Sequence, residues 1–476
     1  MPLPVVKSHH YSKKTASPAG RFARRSVNLG SARTHRETKD GEGAESAEIR
    51  DPVHGYIYAS QVEKTLIDTS SFQRLRRIRQ LAGCHLVYPG GQHSRFEHVI
   101  GCMYLAGKVG AVLESRDIGF AREDTQKLRI AALLHDIGHG PFSHMFEEVL
   151  SEKTDVTHED MSQRIIRETE IGDILQSNGY SKRELTELAV AKLGDRRLEY
   201  MNDAIGGALS VDIMDYLLRD SYFTGVEYGK VDVSRIINSF EVVRDRLAID
   251  QAALFAYEAL MIARYQMFRA VYFHRTVRAA ELMIIKAMIL SDKALHLTDL
   301  SLGNYLSLTD EVTLNRIANL NPEGDADLTL AKSLARDYEK RSLLKCAFEK
   351  TVQRRDKFLT SIFNQRSFRE QFAERIAESA KVDPNQVYLD VPTAPSVPVS
   401  STRESTSSVT LVARRDEKRG KPFSYTIGLQ DLPLVGTIAG YMDVVRVYTT
   451  AKNRAKVEEA AGKVFGKEGY ETRISM

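Results

Sequence analysis

From Glu63 to about Ala380, apolar residues recur at spacings of three and four, the period of a helix with one buried face. Phe96, Val99, Ile100, Met103, Ala106 and Val109 trace one such stripe. Leu128 to Leu134 is apolar nearly all round, which predicts a helix buried at the centre of its domain. A further pattern runs from Leu254 to Leu290 without proline. The short segment Ile49 to Tyr58 reads as a strand or turn around Pro52 and Gly55. Pro392, Pro395 and Pro398, then a Ser/Thr-rich run from Ser400 to Ser408, read as a linker. Val409 to Ala413, Val444 to Tyr448 and Glu471 to Ser475 read as strands, with a helix over Ala451 to Phe465. The expected fold class is therefore mainly α: a helical core over 48–380, a linker over 381–408, and a small C-terminal α+β appendage over 409–476. Residues 1–47 show no hydrophobic period and are read as a disordered basic arm.

Composition changes this picture little. A chain of 476 residues, 42% hydrophobic, can bury a large core. No stretch approaches the roughly 18 uninterrupted apolar residues of a membrane helix, and the start lacks a secretory apolar core, so no membrane partner and a cytoplasmic address are expected. Cys84, Cys102 and Cys346 are far apart and form no CxxC pair, so they are read as reduced thiols. Charge matters in one place. The net charge is +4, yet residues 1–39 hold nine Lys/Arg against the single acid Glu37. Such an arm can condense on nucleic acid, although a solvated leader with no partner is the plainer reading.

The chemistry concentrates in three places. In the run Leu133-Leu134-His135-Asp136-Ile137-Gly138-His139-Gly140-Pro141, a very apolar helix ends on two side chains able to bind metal. A charge buried there needs a partner. A carboxylate paired with a histidine would satisfy that need, but His139, His144 and His158 follow closely and enrich the region in imidazole. Upstream, His93 and His98 flank Arg95 and Glu97 at the start of another helix. Downstream, Asp212, Tyr216 and Asp220 stand at i, i+4 and i+8 and share one face. By itself that face reads as an exposed polar stripe. Taken together, His98, His135, Asp136 and Asp212 make a nitrogen and oxygen ligand set suited to a divalent ion, Mn, Fe, Mg or Zn. Such an ion acidifies a water, which favours phosphoryl chemistry.

The spaced pattern of these four residues resembles the HD superfamily, and the local strings go further. Phe72-Gln73-Arg74-Leu75-Arg76, Arg95-Phe96-Glu97-His98, the run from His135 to His144, and Asp215-Tyr216 with Arg219-Asp220 are similar to the deoxynucleoside triphosphate triphosphohydrolases. That family includes the vertebrate sterile-alpha-motif and HD-domain dNTPase, and the likeness runs from about Ile49 to Leu290. The resemblance implies an HD-domain helical core that hydrolyses a dNTP to a deoxynucleoside and inorganic triphosphate, in a dimer or tetramer of identical chains. It implies His144 as general acid, oriented by Glu147, with His139 and His158 near the phosphates. It implies Arg95 against the α-phosphate and base, and Gln80 and Asp220 on the sugar 3′-hydroxyl. Tyr216 falls under the sugar, where a 2′-hydroxyl would clash, and Leu81 and Tyr272 fall beside the base, although both also suit an ordinary core. Arg264 falls near the distal phosphates.

The sequence also departs from that family. A phosphate-contacting lysine expected directly after Asp212 is Ile213, and an aspartate expected at Glu147 is one methylene longer. Asp68, Gln73 and Arg76 match part of a guanine-nucleotide activator site, but the lysine expected near Ala47 is absent; a surface ion pair between Arg76 and Asp68 explains those two residues equally well. The sterile-alpha-motif domain has no counterpart, and the basic arm stands in its place. Two further readings stay open: an HD phosphohydrolase acting on another nucleotide phosphate ester, and a nucleotide-sensing regulator that binds nucleic acid through the arm.

Overall fold

A computed structural model describes residues 47–116, 118–352, 366–391, 408–413, 423–438 and 443–466. The described chain opens with a hairpin, β1 (Ala47–Asp51) against β2 (Gly55–Ala59), in antiparallel register from Ala47↔Ala59 to Asp51↔Gly55. Its turn is shaped locally: one oxygen of Asp51 accepts the N–H of Val53 at 2.9 Å and of His54 at 2.8 Å, and Gly55 takes a positive φ of 81°. The segment expected as a strand or turn is thus both.

Two long helices form the middle of the fold. Arg95–Glu114 packs along Arg122–Leu134, and Val211–Thr224 crosses the first. Every residue of the stripe Phe96, Val99, Ile100, Met103, Ala106 and Val109 is buried, as are Leu128 and Ile130 to Leu134. The first helix is a wall shared by two apolar cores. Val99, Ile100 and Met103 face one, while Cys102, Leu105 and Val109 face the other. Leu133 and Leu134 join the first core and Ala131 and Ala132 the second, so the helix carrying His135 is walled in as well. Full burial of each such leucine contributes roughly 2–3 kcal/mol. By length and composition Arg95–Glu114 could cross a membrane, but 67% of its apolar window is buried inside the fold.

The helical pattern from Leu254 to Leu290 is not one helix. Leu254–Met267 runs into a wide turn over Phe268–Tyr272, where Phe273 N–H reaches back five residues to the Phe268 carbonyl at 2.7 Å, and Arg275–Leu295 begins a new helix. Apolar spacing does not reveal this break because both halves keep a helical period, although Leu260 and Met261 join one core and Met283 and Ile284 the other. Nor is the region up to Ala380 wholly helical: β3 (Phe240–Val243) pairs with β4 (Arg246–Asp250), and β5 (Lys345–Val352) follows.

Strands after Ala380 pair across the expected boundaries at 380 and 409. Inside the supposed linker, β6 (Val387–Asp390) pairs with β9 (Asp443–Thr449), whose other edge pairs with β5. Likewise β7 (Ser408–Ala413) lies parallel to β4 and antiparallel to β8 (Phe423–Gly428). The fold is mainly α with small sheets in the C-terminal region, as expected, and those strands complete sheets begun earlier in the chain. The strands expected at 409–413 and 444–448 are present, and the helix expected from Ala451 is found over Arg454–Phe465. The basic arm, the Ser/Thr run and the strand expected at Glu471 to Ser475 lie outside the described residues.

Candidate metal centre and adjoining cavity

His98 sits in the first turn of its helix, whose start is closed by Ser94 N–H on the Glu97 carboxylate at 2.9 Å. His135 and Asp136 stand where the buried helix Arg122–Leu134 ends, and Asp212 lies in the first turn of Val211–Thr224, capped by the Ser210 hydroxyl. These three ends converge. His98 Nε2 lies 3.1 Å from an Asp212 oxygen and 3.6 Å from Asp136 Oδ2, and His135 Nε2 lies 3.3 Å from Asp136 Oδ1 and 3.9 Å from Asp212 Oδ1. Ligands each about 2.1 Å from one ion stand about 3.0–3.5 Å apart, so the spacing matches a single coordination shell.

The tautomers agree with this reading. His98 Nδ1 donates to Asp215 at 2.8 Å and His135 Nδ1 to the Ala132 carbonyl at 2.8 Å, which leaves both Nε2 lone pairs turned toward the carboxylates. His135 Nε2 is buried and makes no hydrogen bond, a polar atom that a cation would satisfy. Burial opposes charge on Asp136, but His135, Arg95 and His139 outweigh it and hold the carboxyl well below its usual range. Desolvation likewise opposes charge on Asp212, and His135 and His98 hold it low.

Cys102 also stands within reach of this cluster. Its sulfur is 3.7 Å from His98 Nδ1 and 3.6 Å from Nε2, so it lies over the ring face and not along a lone pair. Burial keeps the thiol protonated, with its pKa pushed up to about 12. It is a free, buried thiol, in line with its reading as reduced.

A second cluster joins His139, His144, Glu147 and His158. The His139 and His158 rings stack at 4.0 Å and 12°, so their in-plane lone pairs run parallel and do not meet at one ion. This arrangement suits proton and phosphate handling better than metal binding. Burial, Arg95 and His158 drive the His139 pKa far down and keep it neutral, whereas Glu147 raises that of His158 against burial. Glu147 was expected to orient His144. Its close hydrogen bond goes to His158 instead, and His144 Nδ1 stands 3.5 Å away. His144 is the open member, its side chain 61% exposed.

Gly138 makes this convergence possible: a Cβ there would fall 2.1 Å from the His158 carbonyl and 2.2 Å from Ser162 N, both backbone atoms. Beyond it, Phe142 and Ser143 hold φ of 60° and 58°, a strained turn that aims His144. Asp310 accepts the N–H of Phe142 at 2.7 Å and of Arg79 at 3.0 Å, while Ser143 Oγ donates to the Arg79 carbonyl at 2.7 Å and accepts from Arg95 Nε at 2.7 Å. Burial pushes the Asp310 carboxyl up from 3.8 to about 6 despite those donors. A pKa raised by folding contributes stability that is full below the unfolded value and lost as pH rises through about 6, worth at most about 3 kcal/mol. The stability gap between wild type and Asp310→Asn, measured by urea unfolding, should therefore narrow from pH 5 to pH 7.5; an unchanged gap would show the carboxyl ionised already at the lower pH.

A cavity of about 1040 Å³ adjoins the metal set and is lined by Gln80, Leu81, Arg95, Tyr216, Asp220, Arg264 and Tyr272, the substrate residues expected from sequence. A smaller one of about 280 Å³ holds His135, Asp136, His139 and His158. Gln80, Arg95, His144, Asp212 and Tyr216 line both, so the two spaces share a wall. Asp220 is held on both oxygens, by His93 Nε2 at 2.8 Å and the Tyr272 hydroxyl at 2.6 Å, and Arg264 donates to the Tyr216 hydroxyl. Ile213 is buried, so no cation replaces the expected lysine at that position. The proposed effector residues behave otherwise. Asp68 pairs with Lys64, Gln73 donates to the Ile67 carbonyl at 2.7 Å, and Arg76 lies 3.4 Å over the Phe96 ring while donating to Gln73. The surface pair of Arg76 with Asp68 does not form.

Sequence reasoning missed the groups behind His98. Asp215 accepts from His98, from Arg219 Nε at 2.8 Å and Nη2 at 2.9 Å, and from His54 Nε2 at 2.7 Å. Arg219 Nη1 in turn donates to Asp51 at 2.7 Å. Gly101 lies against this network, and a Cβ on it would meet Asp215 Oδ1 at 1.9 Å and Arg219 Nη2 at 2.3 Å. Gly101→Ala should cost about 3 kcal/mol or more by forcing a buried ion pair apart; a thermal midpoint within 2 °C of wild type would refute that.

Comparison with known proteins agrees with the geometry. The HD domain family model matches residues 95–220, and a model described as an HD associated region matches 231–413. An uncharacterized protein of Methanocaldococcus jannaschii is 36% identical over 285 residues, 57% of this chain and 58% of that one. A protein named deoxynucleoside triphosphate triphosphohydrolase SAMHD1 homolog, from Dictyostelium discoideum, is 28% identical over 313 residues, covering 62% and 59%. The chain thus spans under two thirds of the length of these relatives. A solved hypothetical protein from Aquifex aeolicus is similar with a TM-score of 0.68 at 26% identity, over 87% of this chain and 99% of that one.

Proposed function

Since this chain is an HD-domain protein carrying the HD-associated region, we propose that it hydrolyses deoxynucleoside triphosphates to a deoxynucleoside and inorganic triphosphate. The observation that carries the reading is the shared wall: the cavity lined by the seven expected substrate residues adjoins the one lined by His135, Asp136 and Asp212 through Gln80, Arg95, His144, Asp212 and Tyr216. When bound, a divalent cation supplies positive charge and a more acidic water beside the innermost phosphate.

The remaining steps fall to the chain itself. Arg95, pinned to Asp136 and Ser143, presents a fixed guanidinium to the phosphate nearest the metal. Neutral His139 and the His158–Glu147 pair meet charge as it develops on the phosphoryl oxygens. His144, open to the cavity, delivers the proton to the departing 5′-oxygen. Asp220, held by His93 and Tyr272, accepts the sugar 3′-hydroxyl, and Tyr216, held by Arg264, closes the face where a ribose 2′-hydroxyl would stand.

The test is product analysis with purified protein, a panel of dNTPs and NTPs, and Mn²⁺ or Mg²⁺. Inorganic triphosphate and deoxynucleoside should appear together and only from deoxy substrates; release of orthophosphate alone would overturn the reading. One observation favours a second reading, a different nucleotide phosphate ester: buried Ile213 removes a distal phosphate contact. Turnover of monophosphate or cyclic esters without turnover of any dNTP would select it.

A further inference from the structure

His98 and His135 are fixed as ligands in different ways. His135 uses a carbonyl of its own helix, Ala132 at 2.8 Å, which costs the fold nothing further. His98 instead leans on an ion network. A carboxylate can only accept, so Asp215 Oδ2 at 2.8 Å obliges His98 Nδ1 to carry the proton and leaves Nε2 as a lone pair facing Asp136 and Asp212. Asp215 remains a carboxylate because its other contacts are donors: Arg219 through two N–H groups, and His54.

The network does not end inside the HD domain. Arg219 spans from Asp215 to Asp51, and Asp51 spends its other oxygen on the turn that places His54. Both hairpin side chains therefore reach the carboxylate that sets the ligand, one directly and one through arginine. Asp215 and Arg219 are fully buried, and Asp51 is 4% exposed, so water cannot substitute for a missing partner. The hairpin, over 47–59, lies outside the 95–220 segment that matches the HD domain.

We propose that Asp215 is the positioning residue that presets His98 for the cation, and that Asp51 and His54 make the N-terminal hairpin a working part of the metal centre. The inference rests on the metal site and not on the nucleotide cleaved, so it survives if no dNTP is a substrate.

The test is the affinity of the full chain for Mn²⁺, read by competition with a chelator without any nucleotide. Asp215→Asn, and the paired Asp215→Asn/Arg219→Gln variant, in which Asp51 keeps only its two turn N–H donors, should bind Mn²⁺ roughly 10–100-fold more weakly. His54→Gln should weaken binding in the same direction by a smaller factor. Asp292→Asn serves as control: this buried carboxylate pairs with Lys153 and Thr298 away from the site. It should lower the thermal midpoint and leave Mn²⁺ affinity at the wild-type value. Should Asp215→Asn fail to fold, the paired variant and His54→Gln carry the test. Wild-type Mn²⁺ affinity in whichever of these fold, or an equal loss in Asp292→Asn, would overturn the proposal.

Discussion

Asp136→Ala is expected to lose bound metal and phosphohydrolase turnover together, turnover falling by roughly 10³-fold or more because ligand, metal and water act as one unit. The carboxylate is the link between the two imidazoles: its oxygens lie 3.3 Å from His135 Nε2 and 3.6 Å from His98 Nε2, and a third histidine, His139, stands 3.3 Å away. Alanine also strips Arg95 of its counter-charge at a site where that arginine is 2% exposed. Breaking a buried pair from one side costs about 3–5 kcal/mol, so the variant should melt earlier as well. That second effect obscures the first, and Asp136→Asn separates them. An amide keeps the volume and an oxygen for Arg95 but binds a divalent ion poorly, so this variant should stay folded, yet metal-free and inactive. Metal content by elemental analysis, thermal midpoint and turnover on the same samples decide the matter. A folded, metal-free Asn variant with undiminished turnover would remove the metal centre from the reaction.

The candidate metal cluster was legible because a charged residue at the end of an all-apolar helix is costly without a partner, and because the histidines around His135 are too dense for chance scatter. The strings around them made a family likeness visible, and with it the cavity wall from Gln80 to Tyr272. Asp215 was not legible as a positioning group. It lies one residue before Tyr216 on a helix whose polar face had been assigned to Asp212, Tyr216 and Asp220, and its partner His54, like Asp51 on the other side of Arg219, is more than 160 positions away. Local pattern carries no such pairing. A faint signal was present in Asp51-Pro52-Val53-His54-Gly55, a turn holding two titratable groups beside a strand with nothing acidic to answer them. The break at Phe268–Tyr272 was hidden for a different reason, since apolar residues keep a helical period on both sides of the wide turn from which Tyr272 reaches Asp220. The sheet crossings of β4 with β7 and of β9 with β5 and β6 were hidden because strand pairing over long separations leaves no trace in local composition.

His144→Asn should lower turnover of the natural substrate by about 10²–10⁴-fold with no loss of metal, the range expected when a proton donor is removed. Among the three clustered imidazoles it alone faces outward: His139 is buried between the stacked His158 ring and Asp136, and His158 is tied to Glu147. A group that must give up a proton each cycle has to recover one from solvent, and the His144 side chain, 61% exposed, has that access. It lines both cavities, which is where the proposed reaction needs a donor to the leaving group. The role predicts a dependence on leaving group. An ester that expels p-nitrophenolate needs no proton, so the Asn variant should hydrolyse it within about tenfold of wild type while failing on a nucleotide. Equal losses on both substrates would mean that His144 binds phosphate instead of donating to the leaving oxygen. Glu147→Gln distinguishes the neighbours further. Because the carboxylate bonds closely to His158 and stands 3.5 Å from His144, its loss should weaken charge stabilisation on the phosphates and slow both esters alike.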